Sequence, residues 1–248
     1  MSTLDHYKLA FNQVGWFIPP YVTMGFLSAL TAQILKEKGA FTQDKLELII
    51  SQIYSPENLS PMVTERYPIV PYVKEYKEII SESIVSHFMG LNHVAVAGLM
   101  PAIEGAGRKI AIDRGVEKKH IKDVFVALAE DCKRDSKENN IGAVGEIISM
   151  MDSFIEFATK NLYTQSEKYP HNDKTNRHGI LHGAYSDDDY GDPINFYKSI
   201  AAIDFLCFVS SFKASISWFA PSASENSIQL LGYYRTCISH GKNRPTYS

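Results

Sequence analysis

An arginine, two histidines and an asparagine lie within seven consecutive residues, in the segment Asn176-Arg177-His178-Gly179-Ile180-Leu181-His182. Arginine carries a permanent positive charge and five N–H donors in a planar fork that fits a phosphate group. The histidine imidazole has an ordinary pKa close to neutrality, so it can accept and return protons. Together these groups could cleave a phosphodiester without a metal ion. We therefore predict that the functional site lies in this segment.

The overall composition narrows the classes of function. The chain has 248 residues, enough for one large domain or two small ones, and a formal net charge of -3. A protein with this charge is not a general nucleic-acid coat, so binding to a polyanion would require a local basic patch. The three cysteines lie far apart without a Cys-x-x-Cys pair, which favours a reducing compartment over a disulfide framework or a structural zinc site. They are Cys132, Cys207 and Cys237.

Two features argue against secretion or a membrane location. The first residues lack the basic start and apolar run of a signal peptide. The most apolar stretch, residues 200–220, contains Asp204 and Lys213, which are costly to bury in lipid. We therefore expect a cytoplasmic protein without a membrane partner.

The spacing of apolar residues predicts an all-α fold. Few segments alternate apolar and polar residues as a half-buried strand does. We expect an N-terminal helical extension over residues 1–72, a helical bundle over 73–220 and a partly ordered C-terminal tail over 221–248.

Two local patterns within this chain predict particular elements. Asp192-Pro193 is typical of a helix start, and we expect the helix to run to about Phe219. Because this helix is apolar on most faces, it should be the most buried one. The charged run from Asp131 to Glu138 is typical of a solvated turn.

Helical geometry limits how the polar side chains of the motif can cooperate. On one helix His178 and His182 share a face, whereas Arg177 and His182 are offset by about 140° around the axis. Arg177 and His182 could still flank a cleft if Gly183 ends the helix. Asn172 or Asp173 would be the natural N-cap of this short element.

The arrangement Arg177-x4-His182, on a short helix just ahead of the last long bundle helix, resembles the signature of the HEPN superfamily. Its members are small all-helical domains, and many are metal-independent ribonucleases of toxin–antitoxin, abortive-infection and other antiviral defence systems. The wider run Asn-Arg-His-x3-His-Gly is similar to a group of uncharacterised bacterial proteins. Further shared features extend this resemblance over nearly the whole chain: Tyr190-Gly191 with Asn195, the N-terminal Trp16-Phe17-Ile18-Pro19, and the segment Leu99–Gly105.

The resemblance implies a HEPN-like helical bundle and assigns roles within it. Arg177 and His182 would be the catalytic residues, and Asn176 and His178 would orient them. Glu104, on the preceding apolar hairpin, would be a supporting residue that faces the motif. The substrate would be RNA, without a metal ion or another cofactor, in a cleft between two copies of the chain. An antitoxin or regulatory partner is compatible with such a system.

The residues leave several alternatives open. Arg177 could form a structural ion pair with the acidic run Asp187–Asp189, while His182 caps a carbonyl at the helix end. The two histidines and nearby aspartates could bind a divalent metal, although Arg177 would oppose a dication. Glu104 could pair with Arg108 one turn along its own helix.

Tyr185 differs in spacing from a tyrosine found in part of the superfamily. Some members of the superfamily carry a modified tyrosine two residues after the histidine, but Tyr185 lies three residues after His182. We therefore assign Tyr185 no such role.

A chain could also keep the fold as a non-catalytic interaction or immunity module, and this is the second hypothesis of function.

Overall fold

A computed structural model describes residues 4–244 of the chain, and within that range the ordered elements are helices, without a β-strand. The prediction of an all-α protein is confirmed. Short 3-10 and π-helical turns join twelve α-helices: α1 Asp5–Gln13, α2 Met24–Glu37, α3 Gln43–Ile50, α4 Pro56–Pro61, α5 Lys77–Phe88, α6 Asn92–Asp113, α7 Ile121–Asn139, α8 Val144–Phe157, α9 Arg177–Leu181, α10 Asp187–Tyr190, α11 Pro193–Ser210 and α12 Glu225–Lys242. Among the described residues, these helices include none that is both long and apolar enough to cross a membrane.

Helix α11 lies at the centre of the molecule. Asp192 is its N-cap residue and Pro193 occupies the first turn, where the missing N–H of proline costs no hydrogen bond. Every residue from Ile194 to Ser210 is buried. The predictions of the start and of the central position are therefore confirmed.

The end of α11 differs from the prediction. The helix stops at Ser210 and not at Phe219. The Ser211 hydroxyl donates to the carbonyl of Phe208 (2.6 Å), which competes with helical hydrogen bonding. Arg66 then donates to the carbonyl oxygens of Ser217 (2.6 Å) and Phe219 (2.5 Å), and these bonds hold the segment outside a helix.

The N-terminal region packs into the same hydrophobic core as the rest of the chain. Trp16, Phe17 and Ile18 are fully buried. The Phe17 ring lies against Phe154 and Phe157 of α8, with centroids 5.1 and 5.0 Å apart. The boundary proposed near residue 72 therefore separates stretches of sequence that share one core.

The charged run from Asp131 to Glu138 is not a turn but part of α7, so that prediction is wrong. Asp131 is buried and accepts a hydrogen bond from Arg114 Nε at 2.5 Å. Asp135 accepts another from Arg114 Nη2, also at 2.5 Å. Because Arg114 compensates these carboxylates, the charged segment can continue as a packed helix.

The C-terminal region is also more ordered than predicted. Residues 225–242 form α12, where we expected a partly ordered tail. Ser224 caps the helix by accepting the N–H of Ser227 (3.1 Å), and Tyr234 is fully buried against Phe88 of α5. Residues 245–248 of the predicted tail lie outside the described residues.

A buried ion pair fixes the segment ahead of α9 to the central helix. Lys198 of α11 donates to Asp173 Oδ2 at 2.9 Å, and both side chains are 0% exposed. Asp173 also accepts hydrogen bonds from the Tyr169 hydroxyl (3.0 Å) and the Thr175 hydroxyl (2.5 Å). Burial opposes ionisation of Asp173, but the charge of Lys198 and the Thr175 hydrogen bond hold the pKa of Asp173 below the ordinary value. The pair therefore ties residues 169–176 to the core.

We expect replacement of Lys198 by methionine to destabilise the fold by about 3–5 kcal/mol, because it leaves the Asp173 charge buried without a cation. Urea unfolding measures the change. Lys160→Met is the control, since its ion pair with Glu156 is exposed, and it should cost about 0.5 kcal/mol or less. Equal stability of the two variants would contradict the importance of the buried pair.

A second buried carboxylate of α11 has no such cation. Tyr67 donates to Asp204 Oδ1 at 2.9 Å. Burial raises the pKa of Asp204 to about 7, although the Tyr67 hydrogen bond and the charge of Arg66 act in the opposite direction. In the unfolded chain an aspartate has a pKa of about 3.9. The folded state therefore holds a proton that the unfolded state has lost.

This difference predicts that the Asp204 contribution makes the protein less stable as the pH rises from about 4 to about 7. Asp204→Asn keeps the neutral form at every pH. The variant should match the wild type near pH 4 and exceed its stability at pH 8 by up to about 4 kcal/mol. Urea unfolding of both proteins at each pH tests this, because the other titrating groups are common to both. A difference that does not vary with pH would refute it.

Candidate functional site

The short helix α9 is held at its start by Asn176, which is fully buried. The Asn176 side-chain oxygen accepts the N–H of Gly179 at 2.9 Å. Its amide nitrogen donates to the carbonyls of Asn161 (2.9 Å) and Thr164 (3.0 Å). Asn176 is therefore the N-cap, and the prediction of Asn172 or Asp173 is wrong because the Asp173 carboxylate binds Lys198.

The end of α9 places His182 at the surface. His182 is the C-cap residue and is exposed, and Gly183 follows with φ +67°, a conformation that favours glycine. Tyr185 then folds back on the helix, and its N–H donates to the carbonyl of Gly179 (3.1 Å). A side chain at Gly179 would collide with the Tyr185 ring at 2.2 Å. The Gly179–Tyr185 contact therefore fixes the direction in which the chain leaves α9.

Arg177 joins Glu104 and His182 in one chain of contacts. Its Nε and Nη2 donate to the two carboxylate oxygens of Glu104 on α6, with Nη2 and Oε2 3.1 Å apart. Its Nη1 lies 2.7 Å from Nε2 of His182. Arg177 and Glu104 are mostly buried, with side chains 18% and 15% exposed. The structure thus brings together both predicted catalytic residues and Glu104.

The contact between Arg177 and His182 also defines the hydrogen-bonding role of Nε2. A guanidinium has no acceptor, so Arg177 must be the donor to Nε2 of His182. Nε2 of His182 therefore carries no hydrogen in this contact. In this form Nε2 can accept a proton, as a general base must.

The second histidine of the motif lies next to the first. The rings of His178 and His182 are nearly parallel, at an angle of 19°, with centroids 5.7 Å apart. Burial lowers the pKa of His178, and the positive charge of Arg177 and the proximity of His182 lower it further. Lys122 of α7 acts in the same direction and Glu104 opposes it. His178 is therefore a neutral neighbour of the arginine near pH 7.

The acidic loop after α9 is fixed by other partners. Asp189 accepts hydrogen bonds from the backbone N–H (2.7 Å) and the hydroxyl (3.0 Å) of Ser186. His93 of α6 lies 2.8 Å from the carbonyl oxygen of Asp187. Since Arg177 takes its carboxylate partner from α6, the alternative in which it pairs with Asp187–Asp189 is wrong.

The position of Glu104 settles another alternative. Arg108 donates to the carbonyl of Lys119 at 3.4 Å, while Glu104 binds Arg177. The expected ion pair between Glu104 and Arg108 is therefore not formed. Within residues 4–244, no group of three or more histidine, cysteine or acidic side chains is arranged to hold a metal ion.

No protein-family model matches the chain, and the comparisons with curated proteins and with solved structures likewise find no match. The resemblance drawn from the motif therefore gains no support from these comparisons.

Sequence reasoning missed the residues that hold the motif in place. Asp173 and Lys198 anchor the segment ahead of it, and the carbonyls of Asn161 and Thr164 bind its cap. One signal was available, since a lysine in the otherwise apolar helix α11 requires a buried anionic partner. The roles of the two carbonyls could not be predicted from the sequence, because every residue type has a backbone carbonyl.

The electrostatic coupling in this site predicts opposite effects of two substitutions on the pKa of His178. Arg177→Met should raise it by removing a nearby positive charge, and Glu104→Gln should lower it further by removing a negative one. Titration of the histidine Cε1–H signals by NMR measures both changes. Glu75→Gln, which alters an exposed carboxylate paired with Lys109, should leave His178 unchanged. A rise in Glu104→Gln would show that the arrangement is wrong.

Proposed function

We propose that this protein is a metal-independent endoribonuclease in which Arg177 and His182 cleave RNA by attack of the 2′-hydroxyl. The observation that carries the proposal is the direct contact between the two side chains, 2.7 Å apart, with His182 exposed to an incoming strand. RNA supplies its own nucleophile, which DNA lacks. Arg177 and His182 therefore supply the phosphate-binding cation and the base for this chemistry.

The reaction follows from the state of the two side chains. Nε2 of His182 exchanges its hydrogen bond from Arg177 for one from the 2′-hydroxyl and takes the proton of that hydroxyl, and the hydroxyl oxygen forms a bond to the adjacent phosphorus. The bond from phosphorus to the 5′-oxygen breaks, and that oxygen takes a proton from a second acid. The products are a 2′,3′-cyclic phosphate and a free 5′-hydroxyl. Arg177 stabilises the charge that develops on the phosphate oxygens.

Glu104 orients the arginine for this role. It binds the Nε and Nη2 side of the guanidinium and so fixes the plane of the fork. Glu104 occupies two of the five N–H donors, and the donor that contacts His182 is released when Nε2 takes a proton, so three donors can then face phosphate. His178 adds no positive charge near pH 7, because its pKa is lowered. Arg177 is then the principal cation of the motif.

A homodimer would complete the site. One protomer offers a single exposed His182, whereas the reaction needs a base and an acid. A two-fold axis beside the motif would supply the second imidazole from the other copy. Exposed apolar side chains lie on α9, which carries the motif, and on α6, which carries Glu104, namely Leu181 and Val94. They offer a surface for such pairing.

The biological setting follows from the same proposal. An intracellular ribonuclease that acted on RNA without control would damage its own cell. We therefore place it in a bacterial defence or toxin system, in which an antitoxin or another regulatory partner controls it. The net charge of -3 fits a protein that does not bind RNA indiscriminately.

One observation favours a second candidate, a non-catalytic interaction or immunity module. Glu104 neutralises Arg177 and joins α6 to α9, as a purely structural ion pair would. In that case Arg177 contributes to stability and His182 is dispensable. The two candidates therefore differ in what removal of His182 does.

We expect His182→Ala to reduce the rate of RNA cleavage by about 10²–10⁴-fold, because it removes the general base. Arg177→Ala should reduce the rate by about 10²-fold or more, because it removes stabilisation of the transition state. The rates are measured with purified protein on total RNA and tRNA in excess EDTA. Analysis of the fragment ends should show cyclic phosphate and 5′-hydroxyl groups.

Matched controls separate catalysis from folding. His240→Ala and Arg235→Ala change exposed residues of α12 and should leave the rate unchanged. An oligonucleotide with a 2′-deoxy sugar at the cleaved position should resist cleavage. Full activity of both motif variants would rule out the assignment. Inactive wild-type protein together with reduced stability of Arg177→Ala alone would favour the non-catalytic module.

A further inference from the structure

A cavity of about 450 Å³ lies away from the motif, where the chain around α2 and α4 meets α11. Its volume is within the usual range for small-molecule sites. The walls are mostly apolar and aromatic, and they come from four separate stretches of the chain. These stretches contribute Pro20–Thr23 with Phe26, Ile53–Tyr54, Glu57–Leu59 with Pro61 and Met62, and Ala220, Pro221 and Ala223. From α11 comes a single residue, Asp204. We call this space the Asp204 cavity.

Asp204 differs from the other buried carboxylates of the described residues. Asp131 is bound by Arg114, and Asp173 is bound by Lys198. Asp204 is only 5% exposed, yet no lysine, arginine or histidine nitrogen of the described chain lies within ion-pair distance of it. Its Oδ1 accepts the Tyr67 hydroxyl, and its Oδ2 has no hydrogen-bond donor among the described residues. Buried carboxylates are normally paired with a cation, so an unpaired one suggests that a cation from outside the chain binds there.

Two tyrosines that line the same cavity also have unpaired hydroxyls. The hydroxyl oxygens of Tyr21 and Tyr54 are buried and have no hydrogen-bond partner among residues 4–244. Both tyrosines line the cavity. Buried polar groups are nearly always hydrogen-bonded, so two unpaired hydroxyls on lining residues are an exception that a bound donor beside them would remove.

The charges of the lining residues decide which kind of molecule fits. The only charged side chains in the lining are Asp204 and Glu57, both acidic, and no basic residue lines the cavity. Arg66 lies nearby over the Tyr21 ring, but two of its nitrogens are bound to the carbonyls of Ser217 and Phe219. The aromatic rings of Tyr21, Phe26 and Tyr54 can interact with a cation through their faces. Anions are therefore disfavoured.

We propose that the Asp204 cavity binds a small organic ammonium ion with an apolar body. The N–H groups of the ammonium donate to Oδ2 of Asp204 and to the hydroxyl of Tyr54. The apolar body packs between Phe26 and Tyr21 and the prolines of the wall. The ligand supplies the cation that Asp204 lacks.

The high pKa of Asp204 agrees with this arrangement. Burial raises the pKa of the Asp204 carboxyl to about 7. An ammonium ion in contact with Oδ2 would favour the ionised form. The charge of Glu57, which is paired with Arg235 at the surface, lies at the rim and adds to the attraction of a cation.

Calorimetric titration of the full chain at pH 8 tests the proposal with probes that differ in charge and length. The cations are benzylammonium, 2-phenylethylammonium and 3-phenylpropylammonium, and their neutral and anionic counterparts are 2-phenylethanol and phenylacetate. We expect saturable binding of at least one cation, at least about tenfold tighter than its neutral or anionic counterpart. Absence of saturable binding by all three cations, or equal binding of phenylacetate, would overturn the proposal.

Variants locate the site. Asp204→Asn should weaken binding of the cation by about tenfold or more, and Tyr54→Phe by about threefold to tenfold. Tyr234→Phe is the matched control for Tyr54→Phe, since it also removes a buried unpartnered hydroxyl but lies outside the cavity, and it should leave affinity unchanged. Urea unfolding of each variant shows that it is folded. Unchanged affinity in folded Asp204→Asn would overturn the assignment.

Discussion

The arrangement of the motif depends on one buried ion pair, between Lys198 of α11 and Asp173 of the segment ahead of α9. Two charges at 0% exposure are costly to remove from water, and their attraction offsets that cost only with good geometry and further hydrogen bonds. Tyr169 and Thr175 supply those bonds to Asp173. The pair therefore fixes residues 169–176, and Asn176 follows directly as the cap from which Arg177 projects.

The same central helix carries a second charge with a different environment. Lys198 and Asp204 lie six residues apart on α11, and both are buried. Lys198 has an anionic partner from the chain itself, whereas Asp204 has the Tyr67 hydroxyl and faces a cavity. The ion pair of Lys198 holds the motif in position. The Asp204 carboxylate has no cation from the described chain, which is the basis for proposing a cationic ligand. Helix α11 thus supports both the motif and the cavity.

Tertiary contacts position the polar groups of the motif at the surface. Glu104 binds one side of the Arg177 guanidinium, and His182 accepts a hydrogen bond from another of its nitrogens. The guanidinium is thereby fixed while part of its fork stays available. This differs from an arginine in solution, whose long side chain must lose conformational freedom when it binds phosphate. A phosphate-binding site requires a guanidinium that is fixed in this way. A purely structural ion pair would fix the guanidinium as well.

Local patterns in the sequence determined the helical class, the start of α11 at Asp192-Pro193 and the place of the polar motif. These features depend on hydrogen bonds and side-chain spacing within a turn or two of helix, so neighbouring residues suffice to predict them. Only the tertiary structure decided that Glu104, 73 residues away, binds Arg177 and that Asn176 caps α9. It also decided that Asp131–Glu138 is helical, because Arg114 compensates the buried charge of Asp131. Residues 225–242 are helical because Tyr234 packs against Phe88. Ion pairing and burial depend on which elements pack together, and that information is not local in the chain.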